Sequence, residues 1–102
     1  MNDAMRGAQA KLVKLLEGDK ITAGMYVRVH GDHLIAGRTE RLGRERAAEN
    51  DDRIRFTRLA GNHYGLSVKR HTGRWEKTPF RGTLEQTVEV VRAVMQHLVA
   101  TW

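Results

Sequence analysis

Arg53-Ile54-Arg55-Phe56-Thr57-Arg58-Leu59 alternates polar with apolar side chains, Ala60-Gly61-Asn62-His63 interrupts it, and Tyr64-Gly65-Leu66-Ser67-Val68-Lys69-Arg70 alternates again. A period of two is that of a half-buried strand, and the interruption holds the glycine and asparagine of a turn. Two antiparallel strands of one sheet are expected. A second turn at His71-Thr72-Gly73 leads into Arg74-Trp75-Glu76-Lys77-Thr78. This third strand should end, or be confined to a sheet edge, at Pro79, which has no backbone N–H to donate. Successive side chains on a strand point to opposite faces. The alternation therefore predicts Ile54, Phe56, Leu66, Val68 and Trp75 on one face, with Arg53, Arg55, Thr57, Ser67, Lys69, Arg74 and Glu76 on the other.

Upstream, Met25-Tyr26-Val27-Arg28-Val29-His30 reads as a strand with Met25, Val27 and Val29 inward and Tyr26, Arg28 and His30 outward. Gly31-Asp32 is a two-residue loop beginning with glycine, suited to a tight hairpin, and His33-Leu34-Ile35-Ala36-Gly37-Arg38 returns. Between Gly37 and Asp52 the alternation fails, and Leu42 is the one large apolar residue. An exposed connection is expected there, shortened if a strand runs past Arg38. Its arginines, Arg38, Arg41, Arg44 and Arg46, are interleaved with Glu40, Glu45 and Glu49. That mixture reads as a solvated, salt-bridged segment, with a phosphate-gripping arm as the alternative.

Helices flank the strands. Met5, Ala8, Leu12, Leu15 and Leu16 recur at helical spacing over Ala4 to Glu17, with Asn2 or Asp3 as N-cap and Gly18 as the stop. Arg6, Lys11 and Lys14 fall on its wet face. Thr83-Leu84-Glu85-Gln86 is a capping box, in which threonine and glutamine each satisfy the other's orphan backbone N–H. It opens a helix with Leu84, Val88, Val91, Val94, Met95 and Leu98 as an apolar stripe and Glu85, Glu89, Arg92 and Gln96 on the wet side. The expected fold class is α+β: an antiparallel sheet of four to five strands, two hairpins or a meander, covered on one face by N- and C-terminal helices. At 102 residues a single domain is expected.

Cysteine is absent, which excludes disulfides, thiolate metal sites and thiol catalysis. Met1 to Arg6 lacks the apolar core of a signal peptide and no run is long enough to span a bilayer, so a cytoplasmic protein with no membrane role is expected. Eighteen Lys and Arg against 12 Asp and Glu give a formal charge of +6, and thirteen of the cations are arginine. Such a balance favours phosphate backbones or acidic proteins as partners, and arginine suits bidentate contact with either anion. GC-rich coding alone also enriches arginine.

Chemistry-bearing groups are sparse. His30-Gly31-Asp32-His33 puts two imidazoles and a carboxylate around one turn, but a third ligand beyond Asp32 would have to come from His63 or His71 with no motif to place it. No metal and no cofactor are expected. Ser67 is the sole serine and has no base beside it in the sequence, no phosphate-binding glycine loop is present, and no carboxylate sits in an apolar setting. No enzyme is expected. The feature that points to function is the outer sheet face, where Tyr26, Arg28, Arg53, Arg55, Lys69 and Arg74 are the candidate contacts, with His30 and Ser67 beside them. Cations follow phosphates and a ring stacks on a base, so a non-catalytic nucleic-acid-binding or regulatory protein that uses this face and the Arg-rich loop, with single-stranded nucleic acid as partner, is the leading expectation. Tyr26 as the only aromatic there argues against a stacking platform. The alternative is an interaction module, of immunity or adaptor type, that presents its arginines and Trp102 to an acidic protein, and self-association as a homodimer is expected in either case.

Overall fold

The computed structural model describes residues 3–40 and 49–100. In chain order these form α1 (Asp3–Glu17), β1 (Tyr26–His30), β2 (His33–Glu40), β3 (Glu49–Ala60), β4 (His63–Lys69), β5 (Trp75–Gly82), α2 (Leu84–Val94) and α3 (Gln96–Val99). The strands make one antiparallel sheet in the order β1-β2-β3-β4-β5, each paired with its sequence neighbour. Helices and sheet give the α+β class, and no described helix is long and apolar enough to cross a membrane.

Alternation decides which side is buried. Leu34, Ala36, Ile54, Phe56 and Leu66 face Met5, Leu12 and Leu16 of α1 and Leu84, Val88 and Val91 of α2 in a single cluster. Phe56 is fully buried at its centre, a burial that stabilises by about 2–3 kcal/mol. The first hairpin turns through Gly31 at φ +60°, a conformation that glycine adopts without strain, so His30 faces His33. The Thr83 capping box is present in full: Thr83 Oγ1 accepts from the Gln86 amide at 3.1 Å, and the Gln86 side chain accepts from the Thr83 amide at 2.9 Å.

Several expectations change in the folded chain. The failed alternation after Gly37 is not all connection, because Gly37 to Glu40 pairs with Glu49 to Asp52. Its buried side is filled by the Arg38 and Arg53 side chains, which bond backbone carbonyls, rather than by apolar residues, so its pattern carries no apolar side. Arg41, Arg44, Arg46 and Leu42 lie outside the described residues, as does Trp102. Trp75 belongs to the face opposite the core, because it pairs with Lys69, and Glu76 takes the other side opposite Val68. Pro79 sits within β5, an edge strand, where three residues of β5 stand against Leu66 between the Ser67–Lys77 and Gly65–Arg81 pairs. The last helix breaks at Met95. Val94 is consequently 55% exposed, and Val99 rather than Leu98 completes the core.

Three arginines read as surface cations are internal ties. Arg38 is 7% exposed and donates to the carbonyls of Val99 (2.8 Å), Ile21 (3.0 Å) and Ala23. Burial first, and then the charge of Arg53, lowers its pKa. Arg53 is the extra residue where Gly37 pairs with Asp52 and Ala36 with Ile54; it is 6% exposed. Its guanidinium bonds Asp51 and the carbonyls of Leu98 and Ala100. Arg92 donates to the Leu15 carbonyl and to Thr22 Oγ1, joining α2 to the end of α1. A planar guanidinium serves several carbonyls at once, which is how these charges are tolerated inside.

Candidate functional site

The face away from the helices is laid out by the register. One row across all five strands is Arg28, Ile35, Arg55, Ser67 and Lys77, and the next is His30, His33, Thr57, Gly65 and Arg81. Beyond the first row lie Tyr26, Gly37 and Asp52 toward one edge and the Lys69–Trp75 pair toward the other. Adjacent strands stand about 4.8 Å apart, so Arg55 and Lys77, two strands apart, are rooted within about 10 Å.

The half of this face on β1 and β2 is neutralised from within. The Tyr26 hydroxyl donates to Asp52 Oδ1, and Arg28 donates to the same carboxylate through Nε (3.2 Å) and Nη2 (2.6 Å). The Arg28 bond comes first in holding the Asp52 carboxyl below its ordinary pKa, whereas burial and then Asp52 push the Tyr26 phenol upward. Gly37 makes the arrangement possible, since a Cβ there would lie 2.2 Å from the Asp51 carbonyl oxygen and 2.5 Å from the Tyr26 hydroxyl. Ile35 is 3% exposed yet outside the core cluster. Its cross-strand partners Arg28 and Arg55 flank it, and arginine stems cover apolar surface in this way.

The half on β3, β4 and β5 is different. The Arg55 guanidinium carbon lies 4.9 Å from the centroid of the Trp75 ring, and the Lys69 ammonium lies 6.0 Å from it. Both distances suit a cation–π contact, which holds the cations without cancelling their charge. Among the described residues Arg55 finds no hydrogen-bond acceptor, and its Nε is buried without one. Lys69, Lys77 and Arg81 make no ion pair among the described residues. Beside Trp75 the sheet dips into a depression of about 250 Å³ lined by His33, Arg55, Thr57, Ser67, Lys77 and Arg81, with Gly65 in the middle strand. No aspartate or glutamate lines it among the described residues.

Of the expected contacts, Arg55 and Lys69 stand together around Trp75. Tyr26 and Arg28 share the face but are held by Asp52. Arg53 is withdrawn by the β3 irregularity, and Arg74 is exposed in the turn before β5. Trp75, Lys77 and Arg81 are additions that sequence reasoning did not supply. The five residues between Lys69 and Trp75 and the irregular stretch around Pro79 set the phase of β5, and alternation within one strand does not report it.

His30 and His33 stack at 6.5 Å between ring centroids. The Nδ1 of His33 is bonded to Thr57 Oγ1 at 2.8 Å, and burial, followed by the charges of Arg55 and His30, lowers the His33 pKa. Among the described residues no three side chains of the metal-ligating types gather in one place. A second concavity, of about 300 Å³, lies where β3 and β4 meet Leu98, but Asp51 and Asp52 line it together with Arg53, Lys69 and Arg70, so its charge is mixed.

No family model, no curated protein and no solved structure matches the chain.

Proposed function

We propose that the protein binds single-stranded nucleic acid, without catalysis, on the β3–β5 half of the open sheet face. The observation that carries this reading is the place of Trp75 on that face, between Arg55 and Lys69, with Lys77 next on the same face of β5 and Arg81 further along it. A base that stacks on the ring in place of the Lys69 ammonium, the more distant of the two cations, contributes about 1–3 kcal/mol, and the displaced charge follows the backbone. An acidic protein would use the same cations and could bury the ring as an interface anchor. The two partners are separated by competition with unrelated DNA or RNA, which displaces the first and not the second.

Trp75 and Trp102 are the only tryptophans, so Trp102→Phe leaves Trp75 as a single reporter. Titration with oligo(dT) or oligo(rU) at low salt should quench its emission, and Trp75→Ala should weaken binding by about 5- to 100-fold. Binding seen by anisotropy with unchanged Trp75 emission would move the interface elsewhere. No binding at low salt would end the nucleic-acid reading.

A further inference from the structure

We infer that the depression bounded by Arg55, Lys77 and Arg81 seats one backbone phosphodiester of a strand whose neighbouring base lies on Trp75. This deepens, and rests on, the nucleic-acid reading above.

Charge is the first ground. Three cations line a concave site that holds no carboxylate among the described residues, whereas Arg28 on the same face already holds a carboxylate oxygen of Asp52 at 2.6 Å. Asp52 there occupies the position an external anion would take. Arg55, Lys77 and Arg81 have no such internal anion among the described residues. Because the Trp75 ring holds the Arg55 guanidinium in place of a carboxylate, its Nη groups remain available for a fork-like contact with phosphate oxygens.

Position is the second ground. Trp75 and Lys77 are two residues apart on one face of β5, about 7 Å along the strand, so a base on Trp75 brings its flanking phosphate toward Lys77. Arg81 lies further along the same edge strand, opposite Gly65. Gly65 carries no side chain, and the Leu59 side chain, 3.5–3.8 Å from where a Cβ of Gly65 would stand, forms an apolar wall of the depression there. The order Trp75, Lys77, Arg81 sets the strand running along β5 rather than across the sheet toward the neutralised β1 half.

The same phosphate chemistry is offered by a free phosphomonoester, and the test separates the two sources. Amide and indole resonances of the whole chain would be followed by ¹⁵N NMR during titration with inorganic phosphate and, separately, with the dinucleotide dTpdT. The phosphodiester seat predicts that dTpdT shifts the amides of Thr57, Gly65 and Ser67 together with the Trp75 indole. Inorganic phosphate should shift those amides more weakly and leave the indole unmoved. Lys77→Ala with Arg81→Ala should abolish the amide response, weaken oligo(dT) about tenfold and lower the salt slope by about 0.7 for each phosphate no longer neutralised. Trp75→Ala should keep the phosphate response, which guards against a loss that comes only from misfolding. If oligo(dT) binds and the double variant binds it equally well, the phosphate seat is refuted while the nucleic-acid reading stands. If inorganic phosphate fills the site and no oligonucleotide binds, both are refuted in favour of a small-anion site.

Discussion

Replacing Arg38 with alanine removes a cation that ties β2 to two other pieces of backbone through three carbonyls. Its guanidinium donates to Ile21 and Ala23 in the segment before β1 and to Val99 at the end of α3, and the side chain is almost wholly enclosed. A hydrogen bond to a charged group contributes about 1.5–3 kcal/mol, and a carbonyl left buried without a donor costs a similar amount. The three bonds share one group, so their losses do not add in full, and water entering the space recovers part. A net destabilisation of about 3–4 kcal/mol is expected. Total stability for a domain of this size is about 5–15 kcal/mol, and each kcal/mol moves Tm by about 4–8 °C, so Tm should fall by roughly 15–25 °C. Urea unfolding followed by far-ultraviolet circular dichroism gives the free energy directly. Arg38→Lys should recover only a minor part, because an ammonium lacks the planar fork that reaches all three acceptors. An alanine variant within about 1 kcal/mol of the parent would refute the assignment of Arg38 as an internal tie.

Gly37→Ala forces a Cβ to within 2.2 Å of the Asp51 carbonyl, and should cost about 2–3 kcal/mol by the same urea assay. Thr83→Ala removes the capping box and should cost about 1 kcal/mol. The Asp52 carboxyl has its pKa lowered on folding, first by Arg28, so the stability it contributes is present above about pH 4 and is lost as pH falls through its folded value. Asp52→Asn should remove that acid dependence, measured by urea unfolding across the same pH range, and should leave oligo(dT) affinity within about twofold because Arg28 stands on the β1 half, away from the strand's path. For His33 folding lowers the pKa, with burial as the leading cause. The unfolded chain then binds the proton better, and stability rises as pH rises through the window just below about 6.5. Anion binding runs the opposite way, because a bound phosphate favours the protonated ring. Affinity should increase as pH falls through the same window, and His33→Asn should flatten that increase in anisotropy titrations.

The elements were legible because their signals are local. Alternation over Ile54 to Thr57 and Tyr64 to Lys69, the Gly31 turn and the Thr83 box are decided by neighbours in the chain, and the structure keeps each of them, whereas Arg53 and the stretch around Leu59 fall at irregularities. What could not be read depends on pairing across elements. Trp75 changes face because the register of β5 is set by the turn and by its irregularity opposite Leu66. Arg38, Arg53 and Arg92 look like solvent cations until α1, the segment before β1 and α3 bring carbonyls to them. The paired stretch at Gly37 to Glu40 has no apolar side because the buried position is taken by Arg38, bonded to backbone carbonyls, so its strand character left no mark in hydropathy. The candidate site follows the same division. Arg55 and Lys69 were visible as outward cations, whereas the ring between them and the carboxylate that neutralises Arg28 belong to tertiary pairing.

The most direct test of the binding face is the salt dependence of oligo(dT) affinity for three proteins: the parent chain, Lys69→Glu with Lys77→Glu on the open face, and Arg6→Glu with Lys14→Glu on exposed positions of α1. Both double variants change the net charge by the same amount. Binding on the β3–β5 face predicts parent affinity that falls linearly in log–log form as salt rises, a loss of about twentyfold or more for the sheet variant, and a change of about twofold for the helix variant. Equal losses in the two variants would show attraction to net charge alone, and no binding by the parent at low salt would contradict the proposed function itself.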